Sequence, residues 1–393
     1  MTDIIKLALS FALMVVLLRQ KLKVGYVMLI GAAMLGALYL IRPAVAWGAI
    51  RDTVTGRVTV ELILALSFIR MMEMVLREQG LLARMMDSFK RTLKSRKAVM
   101  ISMPLLIGML PSVGGAYFSA PMVDEASRGE GMGADEKAFI NYWYRHPWEF
   151  VLPLYPGILL ASALGGVQLR TLMLLNLLPA VLMYALGFAF SMKGLRPSEA
   201  RWEMPDLRSF VPIGLVLLMV IALGVKLYAA LAVVVAGLAL RYRYGPGRIW
   251  KLLRHGVSME VVTLIAGVML FKETMEATGA VANISAYFTA AGVPLMPTLV
   301  LLPFMAGILT GITVGYVGAT FPLIVSLAGG GAAPALALAF ASGFAGVLLS
   351  PVHVCLILTR EYFGAEMGGI YRRMSLPALA IVAAAAGLYL ALS

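Results

Sequence analysis

The 393-residue sequence has very little cysteine and histidine. Its single cysteine, Cys355, excludes an intramolecular disulfide and offers no thiolate metal cluster. The three histidines, His146, His255 and His353, form no H-E-x-x-H motif, and no serine lies in a nucleophile elbow. Metalloprotease and serine-hydrolase chemistry therefore lack their residues, and we expect neither an enzyme, nor a metal site, nor a cofactor.

Charged residues are also scarce, at 13% of the chain, whereas hydrophobic residues make up 61% and the mean hydropathy is +0.89. Soluble globular proteins carry roughly twice that share of charge. Apolar runs such as 24–41 are long enough to cross roughly 30 Å of hydrocarbon as helices. The net charge of +13 falls in the short connections between such runs, where membrane orientation and lipid headgroups explain it without a nucleic-acid partner. The sequence therefore predicts an all-α polytopic membrane protein.

The chain resembles itself at an offset of 199 positions, which places Glu61 opposite Glu260. The offset, with a two-residue insertion that brings Pro121 to Pro322, also places residues 110–121 opposite 309–322, and both stretches contain glycines inside an apolar segment. We predict two copies of one unit, a first repeat at 1–192 and a second at 209–393, joined by a cytoplasmic linker at 193–208. The other matched pairs are Gly80 with Gly279, Phe89 with Phe288, Pro104 with Pro303, Gly108 with Gly307, Leu110 with Leu309 and Tyr117 with Tyr316.

One segment in each repeat, 97–126 in the first and 296–328 in the second, has a Gly-containing centre that leaves two short arms. Such a segment can fold back as a re-entrant hairpin as naturally as it can cross once. If both fold back, each repeat crosses five times, and the odd number inverts the second repeat. The Lys- and Arg-rich connections then all lie on one side, which the positive-inside rule makes cytoplasmic. We expect about ten transmembrane helices, two re-entrant hairpins, two Pro-broken helices and both termini outside.

The broken backbone itself points to a binding site. Irregular backbone at membrane depth is tolerated only where it is buried in protein or lines a water-filled cavity, and paired breaks in inverted repeats are typical of transporters. At each hairpin tip the second arm begins with free N–H groups, which suit an anion, and the first arm ends in free carbonyls, which suit Na⁺ or a proton donor. The alternative interpretation is that Gly114 and Gly115 only allow close helix packing.

Three stretches carry a resemblance to a known family: GMLPSVGGAYFSAPMVDEA from Gly108, NYWYRHPWEFVLPLYPGILLA from Asn141 and GVLLSPVHVCLILTREYF from Gly346. They resemble the prokaryotic membrane family catalogued as domain of unknown function four hundred and one, of the ion transporter superfamily, over nearly the whole chain. Relatives in that superfamily carry citrate, C4-dicarboxylates, gluconate or lactate, or pump arsenite. The resemblance implies a homodimer coupled to Na⁺ or H⁺ and an elevator movement. The hairpin tips read PSVGG and TGITVG in place of the Ser-Asn-Thr signature of the Na⁺-dicarboxylate carriers.

By analogy with the superfamily, the two tips and the unwound centres of the two Pro-broken spans form the site. For His353 we expect either a role in binding a substrate carboxylate or the coupling proton, or a neutral ring hydrogen-bonded to a carbonyl freed by Pro351. The run 141–150 is interpreted as an interfacial aromatic belt with an ion pair, or alternatively as a substrate vestibule. The expected substrate-binding residues are Ser112, Val113, Gly114, Gly115, Thr310, Gly311, Thr313, Tyr155, Ser350 and His353.

These features predict a secondary active transporter of a small, carboxylate-like organic anion in the cytoplasmic membrane of a prokaryote, with alternating access of elevator type. The expected partners are this anion, membrane lipids and a second copy of the chain. The coupling ion is expected to be a proton carried by His353, because the site offers hydroxyls but no obvious buried Asp or Glu to balance a bound cation. A Na⁺-coupled carrier, a carrier or flippase of lipid-linked substrates and an anion channel remain alternatives.

Overall fold

The structure is a computed structural model that describes residues 2–92, 96–109, 115–191, 207–329 and 332–393. All regular elements among these residues are helical. The predicted tip of the first hairpin, with Ser112, Val113 and Gly114, lies outside the described residues, as does most of the predicted linker.

The first half of the chain is a series of helices joined by short connections. Two of them begin at a proline, Pro43 or Pro156, where the missing N–H removes no helical hydrogen bond. A 3₁₀ turn, Pro147–Phe150, separates two of the later helices. The helices are α1 (Thr2–Arg19), α2 (Val24–Leu38), α3 (Pro43–Thr55), α4 (Arg57–Glu78), α5 (Leu81–Thr92), α6 (Arg96–Ile107), α7 (Gly115–Ala126), α8 (Ala134–Trp143), α9 (Pro156–Gly165), α10 (Leu169–Leu175) and α11 (Leu177–Ser191).

The second half repeats this order of helices. It opens with a 3₁₀ turn, Leu207–Phe210, and a π-helical turn, Leu218–Ala222, follows its first helix. The first helices of the two halves, α1 and α12, start 209 residues apart, and from α2 and α13 onward the offset between counterpart helix starts runs from 203 down to 198 residues. The helices are α12 (Val211–Leu217), α13 (Leu227–Arg241), α14 (Pro246–Gly256), α15 (Met259–Ala277), α16 (Ala280–Ala290), α17 (Leu295–Thr310), α18 (Thr313–Leu327), α19 (Ala333–Leu348), α20 (Val354–Phe363) and α21 (Met367–Leu392).

The apolar helices and the apolar surface fit a membrane environment. In the part of the chain that the structure describes, three helical stretches are long and apolar enough to cross a membrane: Leu169–Ser191, Pro246–Ala277 and Met367–Leu392. Shorter apolar helices, including α2, α13 and α17 to α19, accompany them. Large apolar side chains are exposed, such as Leu40 at 88% and Leu240 at 79%, which is uncommon over wide areas of a soluble monomer. The prediction of an all-helical membrane protein agrees with this fold, whereas the short helices α3, α5, α14 and α16 were not predicted.

Two helix pairs lie at the predicted hairpin positions. α6 packs against α7, and α17 packs against α18 across the two-residue turn 311–312. Each pair also contacts both halves of the chain: α6 packs on α8 and α7 on α20, while α17 packs on α19 and α18 on α9. The broken helix of the first half is α8–α9, and that of the second half is α19–α20. Each hairpin is therefore held between the first segment of the broken helix in its own half and the second segment of the broken helix in the other half.

Glycine allows the closest of these contacts. A Cβ atom added at Gly307 in α17 would overlap the carbonyl oxygen of Gly343 in α19, and one added at Gly108 would overlap the carbonyl oxygen of Arg145. Arg145 and Gly343 are counterparts at the 198-residue offset that relates α9 to α20. The backbones thus approach each other at equivalent points in both halves, which gives a physical reason for the matched pair Gly108 and Gly307.

The two broken helices unwind at different places. α19 continues to Leu348, which corresponds to Phe150, whereas α8 already ends at Trp143. Pro147 accounts for the difference, because proline has no N–H to donate and disfavours helical geometry in the residue before it. Its counterpart, Ala345, carries no such restriction. Residues 144–149 therefore lie outside the α-helix in the first half, whereas their counterparts 342–347 are helical in the second half.

Two ion pairs join the halves at equivalent positions. The Nζ atom of Lys226 lies 2.5 Å from Oε1 of Glu61, and the Nζ atom of Lys23 lies 3.9 Å from Oε1 of Glu260. The two lysines immediately precede the counterpart helices α13 and α2, which pack on α4 and α15 respectively. All four side chains are at least 31% exposed, so the pairs add little stability. They do mark the same packing arrangement in both halves.

Candidate functional site at the second hairpin tip

The second hairpin turns at Gly311, which has the left-handed φ of 63° that favours glycine. The last carbonyls of α17 have no partner within the helix. One of them, and the carbonyl of Gly311 that follows the helix, are bonded from the α19–α20 break. Ser350 Oγ donates to the carbonyl of Ile308 at 2.6 Å, and the His353 ring contacts the carbonyl of Gly311 through Nδ1 at 2.7 Å. A Cβ at Gly311 would lie 2.9 Å from Ser350 Oγ, so only glycine fits this contact without a shift.

His353 occupies the N-cap position of α20 and bonds to the hairpin rather than to its own helix. A carbonyl oxygen can only accept, so Nδ1 of His353 carries a proton. The structure agrees in part with the alternative interpretation of His353, a ring bonded to a freed carbonyl. The carbonyl, however, is that of Gly311, freed by the hairpin turn and not by Pro351.

The first half has a counterpart arrangement with a different residue. Tyr155 is the N-cap of α9, and its hydroxyl donates to the carbonyl of Gly108 at the end of the first hairpin arm. Trp148 Nε1 donates to the carbonyl of Leu105 at 2.7 Å in the same arm. Tyr155 and His353 correspond at the 198-residue offset. In each half, the residue before the second helix segment holds a carbonyl of its own hairpin.

Glu149 brings a carboxylate to the second hairpin tip. Thr313 Oγ1, in the first residue of α18, donates to Glu149 Oε2 at 2.9 Å, and the Glu149 side chain is only 14% exposed. The N-cap residue of α18, Ile312, provides no side-chain acceptor, so the positive end of this helix faces the carboxylate. The sequence predicts no obvious buried Asp or Glu at the site. The structure places Glu149, which is only partly exposed, beside the hairpin, because the early unwinding after Trp143 turns this side chain toward it.

Two histidines meet at this tip, one from each half of the chain. His146 Nε2 lies 3.2 Å from His353 Nε2, and His146 Nδ1 contacts the carbonyl of Tyr142 at 2.6 Å. The Tyr142 ring packs on both imidazoles, with centroids 4.6 Å and 5.7 Å away. The thiol of Cys355, the second residue of α20, joins the pair so that Sγ and one nitrogen of each ring lie within 4.8 Å of one another. The second tip therefore gathers imidazole, thiol and carboxylate groups.

The predicted aromatic belt at 141–150 is wrong. Tyr142, Trp143 and Tyr144 are fully buried, and Arg145 and His146 are 4% and 1% exposed. A run that mixes aromatic and charged residues is typical of the membrane–water interface. In the structure, however, these aromatic side chains fill the protein core against α11, α19 and α21. The signal that could have shown this is Pro153, which corresponds at the 198-residue offset to Pro351 in the break before α20.

Of the residues expected to bind substrate, the structure brings Thr310, Gly311, Thr313, Ser350 and His353 together at the second tip. Tyr155 instead supports the first hairpin, and Gly115 is buried at the start of α7. The sequence missed His146, Glu149 and Cys355. The expectation of no metal site rested on the single cysteine and on the absence of an H-E-x-x-H motif, whereas the fold places two imidazoles beside the Cys355 thiol.

An apolar cavity of about 580 Å³ lies behind the same hairpin. It separates α17 and α18 from α1 and α2, and its lining includes Phe11, Met28, Met305 and Thr310. On the side that faces the breaks of α8–α9 and α19–α20, the hairpin is held by hydrogen bonds. On the side that faces α1 and α2, apolar side chains line a cavity.

Comparison with known families identifies the chain at the family level. A family model described as "Protein of unknown function (DUF401)" matches residues 4–392, so the chain belongs to this family. A search of curated proteins gave no match.

Proposed function

We propose that this member of the DUF401 family is a secondary active transporter of a small, carboxylate-like organic anion, working by alternating access of elevator type. The observation that carries the proposal is the second hairpin tip, which is bonded at once to the broken helix of the first half through Glu149 and to that of the second half through Ser350 and His353. Breaks of this kind, meeting between two repeats, are typical of substrate sites in transporters.

The proposal includes two inverted repeats with about ten crossings, two re-entrant hairpins and both termini outside the cytoplasm. The recurring order of helices supports the repeat, as do the equivalent ion pairs Glu61–Lys226 and Glu260–Lys23. Inversion would place these two pairs on opposite faces of the membrane. The placement in the ion transporter superfamily belongs to the same proposal.

The anion is proposed to bind at the start of α18, beside Thr313. Glu149 indicates that this position accepts a carboxylate, because its own carboxylate receives the Thr313 hydroxyl at the positive end of the helix. A substrate carboxylate would take over this bond when Glu149 turns away. Arg145 is buried, and its backbone contacts Gly108 of the first hairpin. Its guanidinium group adds a positive charge to this region of the protein.

Movement is proposed to occur along the apolar cavity between α1–α2 and α17–α18. Its lining offers few hydrogen bonds that a sliding hairpin would have to break. The second copy of the chain is proposed to pair through helices outside the hairpins, leaving 110–121 and 309–322 free of the dimer interface. The coupling ion is proposed to be a proton, with Na⁺ as the alternative, and the proposal does not depend on which side chain carries it.

The test begins with purified protein. Carboxylates are screened for thermal stabilisation with and without Na⁺, and the best ligand is then loaded into proteoliposomes for exchange and for uptake under a pH or Na⁺ gradient. We expect saturable exchange and uptake driven by the pH gradient. Thr313→Val should lower uptake roughly tenfold or more, since a hydrogen bond to a charged group contributes about 1.5–3 kcal/mol. Thr289→Val, which alters an exposed threonine in α16, is the matched control.

Three results would contradict the proposal. Substrate-independent ion current would indicate a channel, and lipid scrambling would indicate a flippase. The absence of exchange for every stabilising carboxylate would remove the anion as substrate.

A further inference from the structure

We propose that His146, His353 and Cys355 form a binding site for one Zn²⁺ ion, held between the two halves of the chain. The three ligand atoms lie within 4.8 Å of one another, beside the second hairpin tip. The inference goes beyond transport and does not rest on it, because it concerns metal binding by the isolated protein.

The hydrogen bonds of the two rings leave their Nε2 atoms facing each other. Nδ1 of His146 contacts the Tyr142 carbonyl and Nδ1 of His353 contacts the Gly311 carbonyl, and a carbonyl requires a donor. Each neutral ring is thereby fixed in the tautomer whose Nε2 carries a lone pair. Two lone pairs 3.2 Å apart repel each other unless a positive centre lies between or beside them. A metal ion supplies that centre, and a shared proton is the competing occupant.

The donor atoms suit zinc, and so does the distance between the two nitrogens. Zn²⁺ is bound by imidazole nitrogen and thiolate sulfur in tetrahedral geometry. Ligand nitrogens about 2.0–2.1 Å from a tetrahedral zinc are about 3.3 Å apart. The 3.2 Å between the two Nε2 atoms matches this edge. The fourth position is open to water or to the Glu149 carboxylate, whose Oε1 lies 3.9 Å from His146 Nε2.

The surroundings hold the rings as a metal site requires. Metal-binding histidines usually donate their second ring N–H to a carbonyl or carboxylate, which fixes the tautomer and the ring orientation. Both imidazoles have such a partner, in carbonyls at the end of α8 and at the turn of the second hairpin. The Tyr142 ring packs against both. Zn²⁺ would therefore bind to ligands that are already oriented.

The first experiment measures metal binding to the full chain, purified without a polyhistidine tag. We expect about one Zn²⁺ or Co²⁺ per chain and, with Co²⁺, the absorption of a thiolate-bound tetrahedral ion. His146→Ala, His353→Ala and Cys355→Ser should each weaken binding at least about 10–100-fold, the range for the loss of outer-shell partners. The exposed third histidine provides the matched control, because His255→Ala should leave binding unchanged.

The second experiment needs no variant, because the wild-type chain has one cysteine. A maleimide reagent then reports on Cys355 alone. Stoichiometric Zn²⁺ should slow labelling at least about tenfold, and a chelator should restore the rate, since a ligated thiolate is no longer free to react.

Folded protein that binds no Zn²⁺ and whose labelling ignores Zn²⁺ would overturn the site and leave the shared proton as the occupant. Binding that survives all three ligand variants would also overturn it. Neither outcome bears on exchange of carboxylates, so failure here is distinct from failure of the proposed transport.

Discussion

The two halves of the chain share a scaffold but differ at the break of each broken helix. At the 198-residue offset, His353 corresponds to Tyr155 and Cys355 to Gly157. His146 corresponds to Phe344, which packs in the core of the second half. Both halves hold their hairpin through the N-cap residue of the second helix segment, but imidazole, thiol and carboxylate side chains gather at the second hairpin tip. The similar order of helices in the two halves therefore gives similar backbone geometry, and the residues that differ between the halves give the second tip its chemical groups.

Pro147 connects these differences to one cause. Had α8 continued as α19 does, residues 144–149 would be helical, as their counterparts 342–347 are. The early end of α8 releases His146 and Glu149 toward Thr313 and His353. One proline thus converts a segment that packs in the core of the second half into a segment that reaches across to the other hairpin.

The largest expected effect tests whether the halves are inverted. In a Cys355→Ser background, Lys23→Cys and Lys226→Cys should be labelled by a membrane-impermeant maleimide from opposite sides of the membrane, Lys23→Cys from the cytoplasmic side. The effect is all-or-none, because the equivalent residues of inverted repeats face opposite compartments. Cys355→Ser without an added cysteine is the background control. Labelling of both positions from one side would exclude inversion.

The close backbone contacts at Gly108 and Gly307 should be equally sensitive to an added methyl group in both halves. Gly108→Ala and Gly307→Ala each place a Cβ against a carbonyl oxygen, of Arg145 and Gly343 respectively, and we expect each to lower the free energy of unfolding by about 1–3 kcal/mol. Denaturant titration in mixed micelles measures the free energy of unfolding of each variant. Gly387→Ala in α21, where a Cβ meets nothing within 4 Å, should be neutral or stabilising.

A loss confined to Gly307→Ala would show that the first hairpin is less tightly packed than the second. The two halves would then differ in how tightly their hairpins pack as well as in the side chains at their hairpin tips.

Much of this fold was predictable from sequence, because the features that indicate it are local. Apolar runs indicate helices, and Gly108 and Gly307 indicate close packing wherever the hairpins fold back. The cluster at the second tip was not predictable, because it joins residues far apart in the chain, 164 positions for Glu149 and Thr313 and 207 for His146 and His353. His353 stood out beside Pro351, but nothing local assigns His146 or Glu149 to the same place. Their aromatic neighbours are typical of a membrane interface as much as of a core.

An effect in the same range should follow from removing the hydroxyl of Tyr155. Tyr155→Phe leaves the buried Gly108 carbonyl without this donor, and we expect a loss of about 1–3 kcal/mol in the free energy of unfolding. Tyr287→Phe, at an exposed ring in α16, is the control and should have almost no effect. An equally small change for Tyr155→Phe would mean that water replaces the hydroxyl, and that the N-cap bond matters only in the second half.

The smallest expected effect concerns the ion pairs that join the halves. Glu61→Gln and Glu260→Gln remove equivalent carboxylates, yet the Lys226 contact to Glu61 is 2.5 Å and the Lys23 contact to Glu260 is 3.9 Å. Because the side chains are partly solvated, we expect each loss to stay below about 1 kcal/mol, to be larger for Glu61→Gln, and to shrink in high salt. Unfolding in mixed micelles at low and high salt measures it. A loss well above 1 kcal/mol that persists in high salt would show that these carboxylates hold the halves together, so that the scaffold shared by the repeats would depend on charge as well as on packing.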